Sequence, residues 1–183
     1  MEVKQTDFKD LIICKPDVFK DDRGYFYESF NLKKFSAATG LHPNFVQDNQ
    51  SRSTFGVLRG LHFQVGDMAQ SKLVRVLEGE VLDVVVDMRK EEPTFGKSFS
   101  MMLTAANRTQ LFIPRGFAHG FLTLSSTATF FYKCDNYYDK ESERGLLYND
   151  PVLDINWQLE EQDFILSEKD KVNPDFEALI KTL

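Results

Sequence analysis

The chain has 183 residues, a net charge of −6 at pH 7, 17 phenylalanines and two cysteines. The acidic balance argues against a nucleic-acid or acidic-membrane binder, because such proteins present a positive surface, but an anionic small molecule stays open. Cys14 and Cys134 are too few for a disulfide framework or a cysteine-based zinc site. The chain shows no apolar leader and no apolar stretch of membrane-spanning length, so we expect a cytoplasmic protein without a membrane segment.

The first third of the chain predicts an arm, a helix and two strands. Strands are expected over residues 11–13 and 24–30, on either side of an acidic turn, and residues 1–30 are expected to form a separate arm that contributes to a dimer by pairing with a neighbouring subunit's sheet edge. A short helix capped by Asn31 should end at Gly40. Two further strands are predicted within residues 45–64, separated by a polar stretch at 48–54.

From Lys72 onward, short β-type segments alternate with turn residues. Strands are predicted over residues 73–77, 81–88, 98–103, 110–113, 117–124 and 128–134. Short strands at roughly ten-residue intervals favour a sandwich or a small barrel. We therefore predict one all-β domain over 1–183, with a few short helices and a helical C-terminal segment at 155–183 that ends in a helix over 175–183.

One strand-like stretch, Val57 to Gln64, carries an arginine, an imidazole and an amide among apolar residues. Burying three unpaired polar side chains would cost several kcal/mol, and a solvent-facing strand would alternate more cleanly. The stretch therefore predicts a strand that lines a polar cavity, with His62 facing into it. Arg59 and His62 have opposite parity, so either Gly60 marks a β-bulge or Arg59 lies at the end of the strand.

The two histidines in apolar β segments, His62 and His119, are open to two interpretations. They are either satisfied core residues or members of one shared pocket, and the nearby Arg59 and Arg115 favour the pocket. His42 lies in a loop-like stretch and is expected at the surface.

Residues 114–119 match the spacing of the second motif of cupins, which are small jelly-roll proteins in which this histidine can bind a metal. The partner motif should supply His-x-His and a carboxylate. Here His62 and Gln64 supply one imidazole and one amide, whereas a catalytic metal normally takes about three protein ligands. We therefore expect no metal, and His62 is free to act as a base.

Three further residues have ambiguous patterns. Tyr132 shares a strand face with Phe130 and Cys134, which is more typical of a core tyrosine than of a catalytic acid. Lys72 begins a strand and Asp170 lies in a charged run, and both positions are typical of solvated residues.

Motifs distributed in order along most of the chain carry a resemblance to a known family. They lie at residues 22–26, 45–49, 57–64, 93–97, 113–121, 132–133, 148–151 and 166–170. Together they resemble the dTDP-4-dehydrorhamnose 3,5-epimerase family. The resemblance implies a metal-free, cupin-type jelly roll that works as a homodimer, without a cofactor, on a dTDP-4-keto-6-deoxyhexose.

The resemblance also implies roles for individual residues. His62 would be the proton acceptor, oriented by Asp170, and Tyr132 the proton donor, while Lys72 would act beside them in catalysis. The implied substrate-binding residues are Arg23, Phe26, Glu28, Gln47, Asp48, Asn49, Arg59, Lys72, His119, Tyr138, Glu143 and Lys169. Among these, Phe26 and Tyr138 would pack on the thymine ring.

Three alternatives stay open at this point. A monoepimerase acting at C3 or C5 of a related sugar would carry the same motifs. A binding module could keep the scaffold without catalysis. A metal-dependent cupin oxygenase or isomerase would need a ligand set that the sequence does not present.

Overall fold

The computed structural model describes residues 1–183 as two antiparallel sheets, one small hairpin and two short helices. In spatial order the first sheet contains β1 (Glu2–Gln5), β2 (Ile12–Lys15), β10 (Gln110–Ile113), β7 (Lys72–Glu78), β12 (Thr127–Cys134) and β5 (Gln47–Thr54). The second contains β13 (Glu143–Gly145), β6 (Leu58–Gln64), β11 (Phe117–Thr123), β8 (Glu80–Asp87) and β9 (Ser98–Thr104). The hairpin pairs β3 (Phe19–Asp21) with β4 (Gly24–Phe26), and the helices are α1 (Leu32–Thr39) and α2 (Phe176–Ile180).

The two sheets pack face to face around a core of inward side chains. Val74 of β7 and Phe130 of β12 meet Val85 of β8 and Phe121 of β11 in one buried cluster. Phe121 and Phe130 stack with their ring centroids 4.2 Å apart. The prediction of an all-β jelly roll is confirmed, and the two sheets stay open along their edges.

The outer face of the second sheet is covered by the C-terminal part of the chain. Trp157, Phe176 and Leu179 pack there against Leu82 and Val84 of β8 in a buried cluster. Strand β8 is therefore buried on both faces, which explains why its sequence is almost continuously apolar. Helix α1 covers the first sheet in the same way, through its fully buried Phe35.

The strands predicted from Lys72 onward are confirmed to within two residues, and so is the first helix. Asn31 caps α1 by accepting a hydrogen bond from the amide of Lys34 at 3.1 Å. Gly40 ends the helix with φ +76°, a left-handed conformation that glycine adopts at little cost.

Two predictions in the first third of the chain are wrong. The strand expected over 24–30 ends at Phe26, and the polar stretch 48–54 belongs to strand β5. Strand β5 has polar side chains on both faces, because it lies at a sheet edge and its inward residues Asn49, Ser51 and Ser53 face polar surroundings. It therefore lacks the apolar alternation by which strands are recognised.

The N-terminal end contains a strand that the sequence did not predict, whereas the C-terminal end contains less helix than expected. Strand β1 pairs with β2 of its own chain and forms the edge of the first sheet. The predicted terminal helix is shorter than expected: α2 spans five residues and is capped by Asp175. The rest of residues 155–183 contains only two single turns of 3₁₀ helix. Neither α-helix has the length needed to cross a membrane.

Candidate functional site

A cavity of about 620 Å³ opens where β5, β7 and β12 of the first sheet face β6 and β11 of the second. Its volume is in the range of small-molecule sites. Ten of the sequence-predicted site residues line it: Asn49, Arg59, His62, Lys72, His119, Tyr132, Tyr138, Glu143, Lys169 and Asp170. The prediction that the stretch from Val57 to Gln64 lines a polar cavity is therefore confirmed.

A β-bulge places both Arg59 and His62 on the cavity side of β6. On the neighbouring strand His62 is opposite His119 and Arg59 is opposite Phe121, so two residues of β6 face one residue of β11. Gly60 lies at this bulge with a φ angle of +123°, a backbone conformation that residues other than glycine rarely adopt. Of the two alternatives that the sequence left open, the bulge is confirmed.

His62 and Asp170 form a hydrogen-bonded pair at the cavity wall. The ring Nε2 of His62 lies 2.6 Å from Oδ1 of Asp170, which is 3% exposed. Burial raises the pKa of Asp170, but hydrogen bonds from His62, Ser167 and the Gly60 amide together bring this pKa below its ordinary value. An ionised Asp170 accepts a hydrogen bond from Nε2–H of the imidazole, which leaves Nδ1 as the ring atom with a free lone pair for the substrate proton.

The lowered pKa of Asp170 predicts a pH-dependent stability difference. In the unfolded chain an aspartate titrates near pH 3.9, so the stabilisation by the ionised carboxylate is complete above that pH and is lost as the pH falls through the lower native pKa. Urea unfolding of the wild type and of Asp170→Asn between about pH 5.5 and 3 measures this effect. We expect the difference in unfolding free energy to shrink toward low pH, and a constant difference would contradict the ionised pair.

Tyr132 reaches the cavity from the sheet opposite His62. It lies on β12 in the first sheet, whereas His62 lies on β6 in the second. Burial raises the pKa of the Tyr132 hydroxyl to about 12. The phenol therefore keeps its proton at neutral pH and can donate it into the cavity.

Lys72 lies on the cavity wall close to Tyr132, with its Nζ atom 5.9 Å from the centre of the tyrosine ring. Burial lowers the pKa of Lys72, and the carboxylates of Asp83 and Glu143 oppose that effect. No ion pair in the structure involves Lys72, so its side-chain nitrogen is free to contact a group inside the cavity. A cation in such a place can stabilise a developing oxyanion.

His119 belongs to a second histidine–carboxylate pair that the sequence analysis missed. Its Nε2 atom lies 2.8 Å from Oδ2 of Asp83, which is fully buried in β8. The available signal was a single aspartate inside the apolar run Val81–Val86. Arg115, which the sequence associated with His119, instead pairs with Asp135 at 3.0 Å and lies outside the cavity, so that association is wrong.

The mouth of the cavity carries a charged cluster around Glu143. Its Oε2 atom accepts hydrogen bonds from Lys169 at 2.5 Å and from the Tyr138 hydroxyl at 3.0 Å. Burial raises the pKa of Glu143, but these two bonds bring the pKa below its usual range. Arg59 is held differently, since its Nε donates to the buried Ser53 hydroxyl at 3.1 Å and its terminal nitrogens have no carboxylate partner.

Five predicted substrate-binding residues lie outside the cavity: Arg23, Phe26, Glu28, Gln47 and Asp48. The charged residues Arg23, Glu28 and Asp48 each form an ion pair at the protein surface with another residue of this chain. Phe26 is 69% exposed on the hairpin, and Gln47 accepts a hydrogen bond from the amide of Tyr138 near the cavity mouth. Their role in substrate binding stays a prediction.

Gln64 occupies the position where the cupin pattern has its second histidine, and it ties together two loops at the cavity mouth. Its amide nitrogen donates to the carbonyls of Met68 at 2.6 Å and Tyr137 at 3.0 Å. Its oxygen accepts from the amide of Asp139 at 2.8 Å. A side-chain amide is the group that supplies two donors and an acceptor together. No group of three or more His, Cys, Asp and Glu side chains is placed to hold a metal ion.

Replacing Gln64 by glutamate should loosen both loops. The carboxylate has no proton to donate, so the carbonyls of Met68 and Tyr137 lose their partner, and we expect unfolding free energy to fall by about 2 kcal/mol or more. Urea unfolding measures the change. Gln70→Glu is the matched control, because the Gln70 amide makes one such bond, to the Asn136 carbonyl. Equal losses in the two variants would contradict this role of Gln64.

Several other lining residues carry no signal in the sequence. The cavity also contacts Gln50, Ser51, Gln70, Phe121, Phe130 and Ser167. Serines and glutamines of this kind carry no pattern that separates them from surface residues.

The fold and the site define a cupin-type jelly roll whose cavity combines a histidine–aspartate pair with a tyrosine from the opposite sheet. The family model described as dTDP-4-dehydrorhamnose 3,5-epimerase matches residues 5–178. The chain belongs to this family. Its members are epimerases, so the chain is placed among the isomerases.

Individual relatives agree with this assignment. The dTDP-4-dehydrorhamnose 3,5-epimerase of Shigella flexneri is 53% identical over 170 residues, covering 93% of each chain. The crystal structure of the Elizabethkingia anophelis enzyme of the same name is 56% identical with a TM-score of 0.94, covering 97% of each chain. A Legionella pneumophila epimerase, solved in complex with dTDP-4-keto-L-rhamnose, is 47% identical with a TM-score of 0.91, and the match covers 98% of this chain and 96% of that one.

Proposed function

We propose that the chain inverts C3 and C5 of dTDP-4-dehydro-6-deoxy-D-glucose, giving dTDP-4-dehydro-L-rhamnose on the route to dTDP-L-rhamnose. The observation that carries the proposal is the arrangement of His62 and Tyr132, which enter one cavity from opposite sheets. Inversion needs a base on one face of the sugar ring and a proton donor on the other, and this arrangement supplies both.

The ketone at C4 explains how one base can serve two carbons. C3 and C5 both flank this ketone, so loss of either proton gives an enolate whose charge rests on the same oxygen. His62 takes the proton through Nδ1, while Asp170 holds the ring at 2.6 Å and stabilises the imidazolium that forms. Tyr132 then protonates the opposite face. The substrate carries its own electron sink, so the proposed reaction requires no cofactor.

The anions of substrate and intermediate have suitable partners in Lys72, His119 and Arg59. Lys72 stabilises the enolate oxygen, since its ammonium has no ion-pair partner and lies beside Tyr132, and His119 assists from β11. The free terminal nitrogens of Arg59 suit the diphosphate, which a guanidinium can bind through two parallel hydrogen bonds.

Turnover in heavy water tests this function. Deuterium should enter both C3 and C5 of the recovered dTDP-sugar, which NMR or mass spectrometry would show. Label at neither carbon would overturn the proposal. Label at one carbon would instead assign a monoepimerase, and the 3′-monoepimerase of Streptomyces bikiniensis shares this fold at 30% identity with a TM-score of 0.89.

We also propose that the chain is a homodimer. The hairpin β3–β4 exposes three aromatic side chains, Phe19, Tyr25 and Phe26, each at least 60% exposed. An apolar patch of this kind is typical of an interaction surface. Arg23, which lies on the same hairpin, and Glu28 lie outside this chain's cavity, so any contact of theirs with substrate needs a second subunit or a movement of the hairpin.

Sedimentation velocity tests the dimer. The expected mass is twice the 21.1 kDa of the chain, and a monomer at working concentration would remove the proposal. The cytoplasmic location and the single domain over residues 1–183 also stay predictions.

A further inference from the structure

A segment without regular strand structure carries Lys169 and Asp170 to the cavity. This segment, residues 163–174, is called here the C-terminal strap. It begins at the end of one 3₁₀ turn, contains a second over Asp170–Val172 and a single parallel bridge between Ile165 and Val57, and otherwise runs as irregular chain past strands β6 and β13. Asp170 can meet His62 at 2.6 Å only if the backbone of the strap is held in place.

The first end of the strap is fixed beside Gly56. The amide of Ile165 donates to the Gly56 carbonyl at 2.8 Å, and the amide of Leu58 donates to the Ile165 carbonyl at 3.1 Å. Gly56 has φ +78°, and a Cβ atom there would lie 2.2 Å from the carbonyl oxygen of Asp163. Any side chain at this position would push the strap away from β6.

The second end of the strap is fixed beside Gly145. This glycine is opposite His62 in the register of β13 and β6, and a Cβ atom there would lie 2.0 Å from Oδ1 of Asn173. The amide of Leu147 donates to the Pro174 carbonyl at 2.9 Å just beyond this contact. The amide nitrogen of Asn173 is buried, and a contact that displaces the backbone at Asn173 would also displace Asp170, which is three residues away.

We propose that Gly56 and Gly145 are positioning residues for the epimerisation, because they let the strap approach closely enough for Asp170 to orient His62. The inference rests on the proposed function, since it gives these glycines a role in proton abstraction. A displacement of about 1 Å in a catalytic group can cost on the order of 100-fold in rate.

The first experiment measures kcat and KM of Gly145→Ala and Gly145→Ala/Asn173→Ala. We expect the single variant to lose about 10- to 100-fold in kcat and the double variant to recover most of it, because removal of the asparagine side chain makes room for the new methyl group. Asn173→Ala alone should resemble wild type, since the buried amide nitrogen of its side chain has no hydrogen-bond partner. A double variant as slow as the single one would overturn the inference.

The second experiment repeats Gly145→Ala in the Asp170→Asn background and follows deuterium exchange into the dTDP-sugar. If the glycine acts through Asp170, the substitution should change the residual rate by less than about twofold there. An equal loss in both backgrounds would show a merely structural role and overturn the inference.

Gly56→Ala and Gly40→Ala form a second matched pair. Both glycines have a left-handed backbone, at φ +78° and +76°, but a Cβ at Gly40 meets nothing within 4 Å. Only Gly56→Ala should therefore lower kcat, and equal kcat values in the two variants would overturn the role of Gly56.

Circular dichroism checks that the variants fold. Loss of the folded state in both Gly56→Ala and Gly145→Ala would also overturn the inference, since these glycines would then support the whole fold.

The wild-type heavy-water result separates the proposed function from the positioning role of the two glycines. Absence of label in the wild type would refute the proposed function. A labelled wild-type product together with unimpaired glycine variants would refute only the positioning role.

Discussion

Replacing His62 by alanine is expected to lower kcat by about 10²- to 10⁴-fold, the usual contribution of a positioned general base. The same variant should lose deuterium uptake at both C3 and C5, because one imidazole serves both carbons. The side chain is 28% exposed on the cavity wall, so the fold should tolerate its removal. Assays quenched at timed intervals in heavy water, followed by NMR of the dTDP-sugar, measure both kcat and the deuterium uptake.

His42→Ala is the matched control for this experiment. His42 is an exposed loop histidine outside the cavity, as the sequence predicted, and its replacement should leave kcat unchanged. Loss of label at only one carbon in His62→Ala would contradict a shared base. Wild-type turnover by this variant would remove His62 from the mechanism altogether.

Replacing Tyr132 by phenylalanine should separate proton exchange from inversion. His62 can still form the enolate and return a proton to the face from which it came, so deuterium should still enter the substrate. Without the phenol, protonation of the opposite face should slow by about 10²-fold or more. The expected product in heavy water is labelled sugar with the starting configuration, which NMR coupling constants distinguish from the inverted sugar.

The phenylalanine keeps the packing that the tyrosine ring makes in the cavity. Tyr132 lies near Phe130, with ring centroids 6.1 Å apart, and near Lys72 at 5.9 Å. The exposed Tyr137 serves as a control, since Tyr137→Phe removes a hydroxyl outside the cavity. Inversion at the wild-type rate by Tyr132→Phe would show that another group, or water, donates the second proton.

Local pattern was sufficient for most of the β-structure in this protein. The strands from Lys72 onward alternate or run apolar between turn residues, and helix α1 begins and ends at its cap residues, Asn31 and Gly40. The mixture of polar and apolar residues from Val57 to Gln64 also indicated the cavity, because a buried polar side chain needs a partner or a ligand. These features depend on neighbours in the chain, which a sequence displays.

Family motifs, rather than pattern, were needed for Tyr132, Lys72 and Asp170. Each has an ordinary local context, and only the fold brings Asp170, more than a hundred residues away, within 2.6 Å of His62. Asp83 is a residue that neither pattern nor family motifs selected. It is a fully buried aspartate whose partner, His119, lies on the adjacent strand, and pairing across strands is not visible in the order of residues.

The sequence by itself therefore determined the class of fold, the polar cavity beside β6 and the family motifs. The tertiary structure decided the rest: the bulge at Gly60, the loop contacts of Gln64, the polar edge strand β5 and the placement of Arg23 and Asp48 outside the cavity. The physical reason is the range of the interactions. Periodicity and capping act over a few residues, whereas the geometry of the site depends on contacts between two sheets and a distant C-terminal strap.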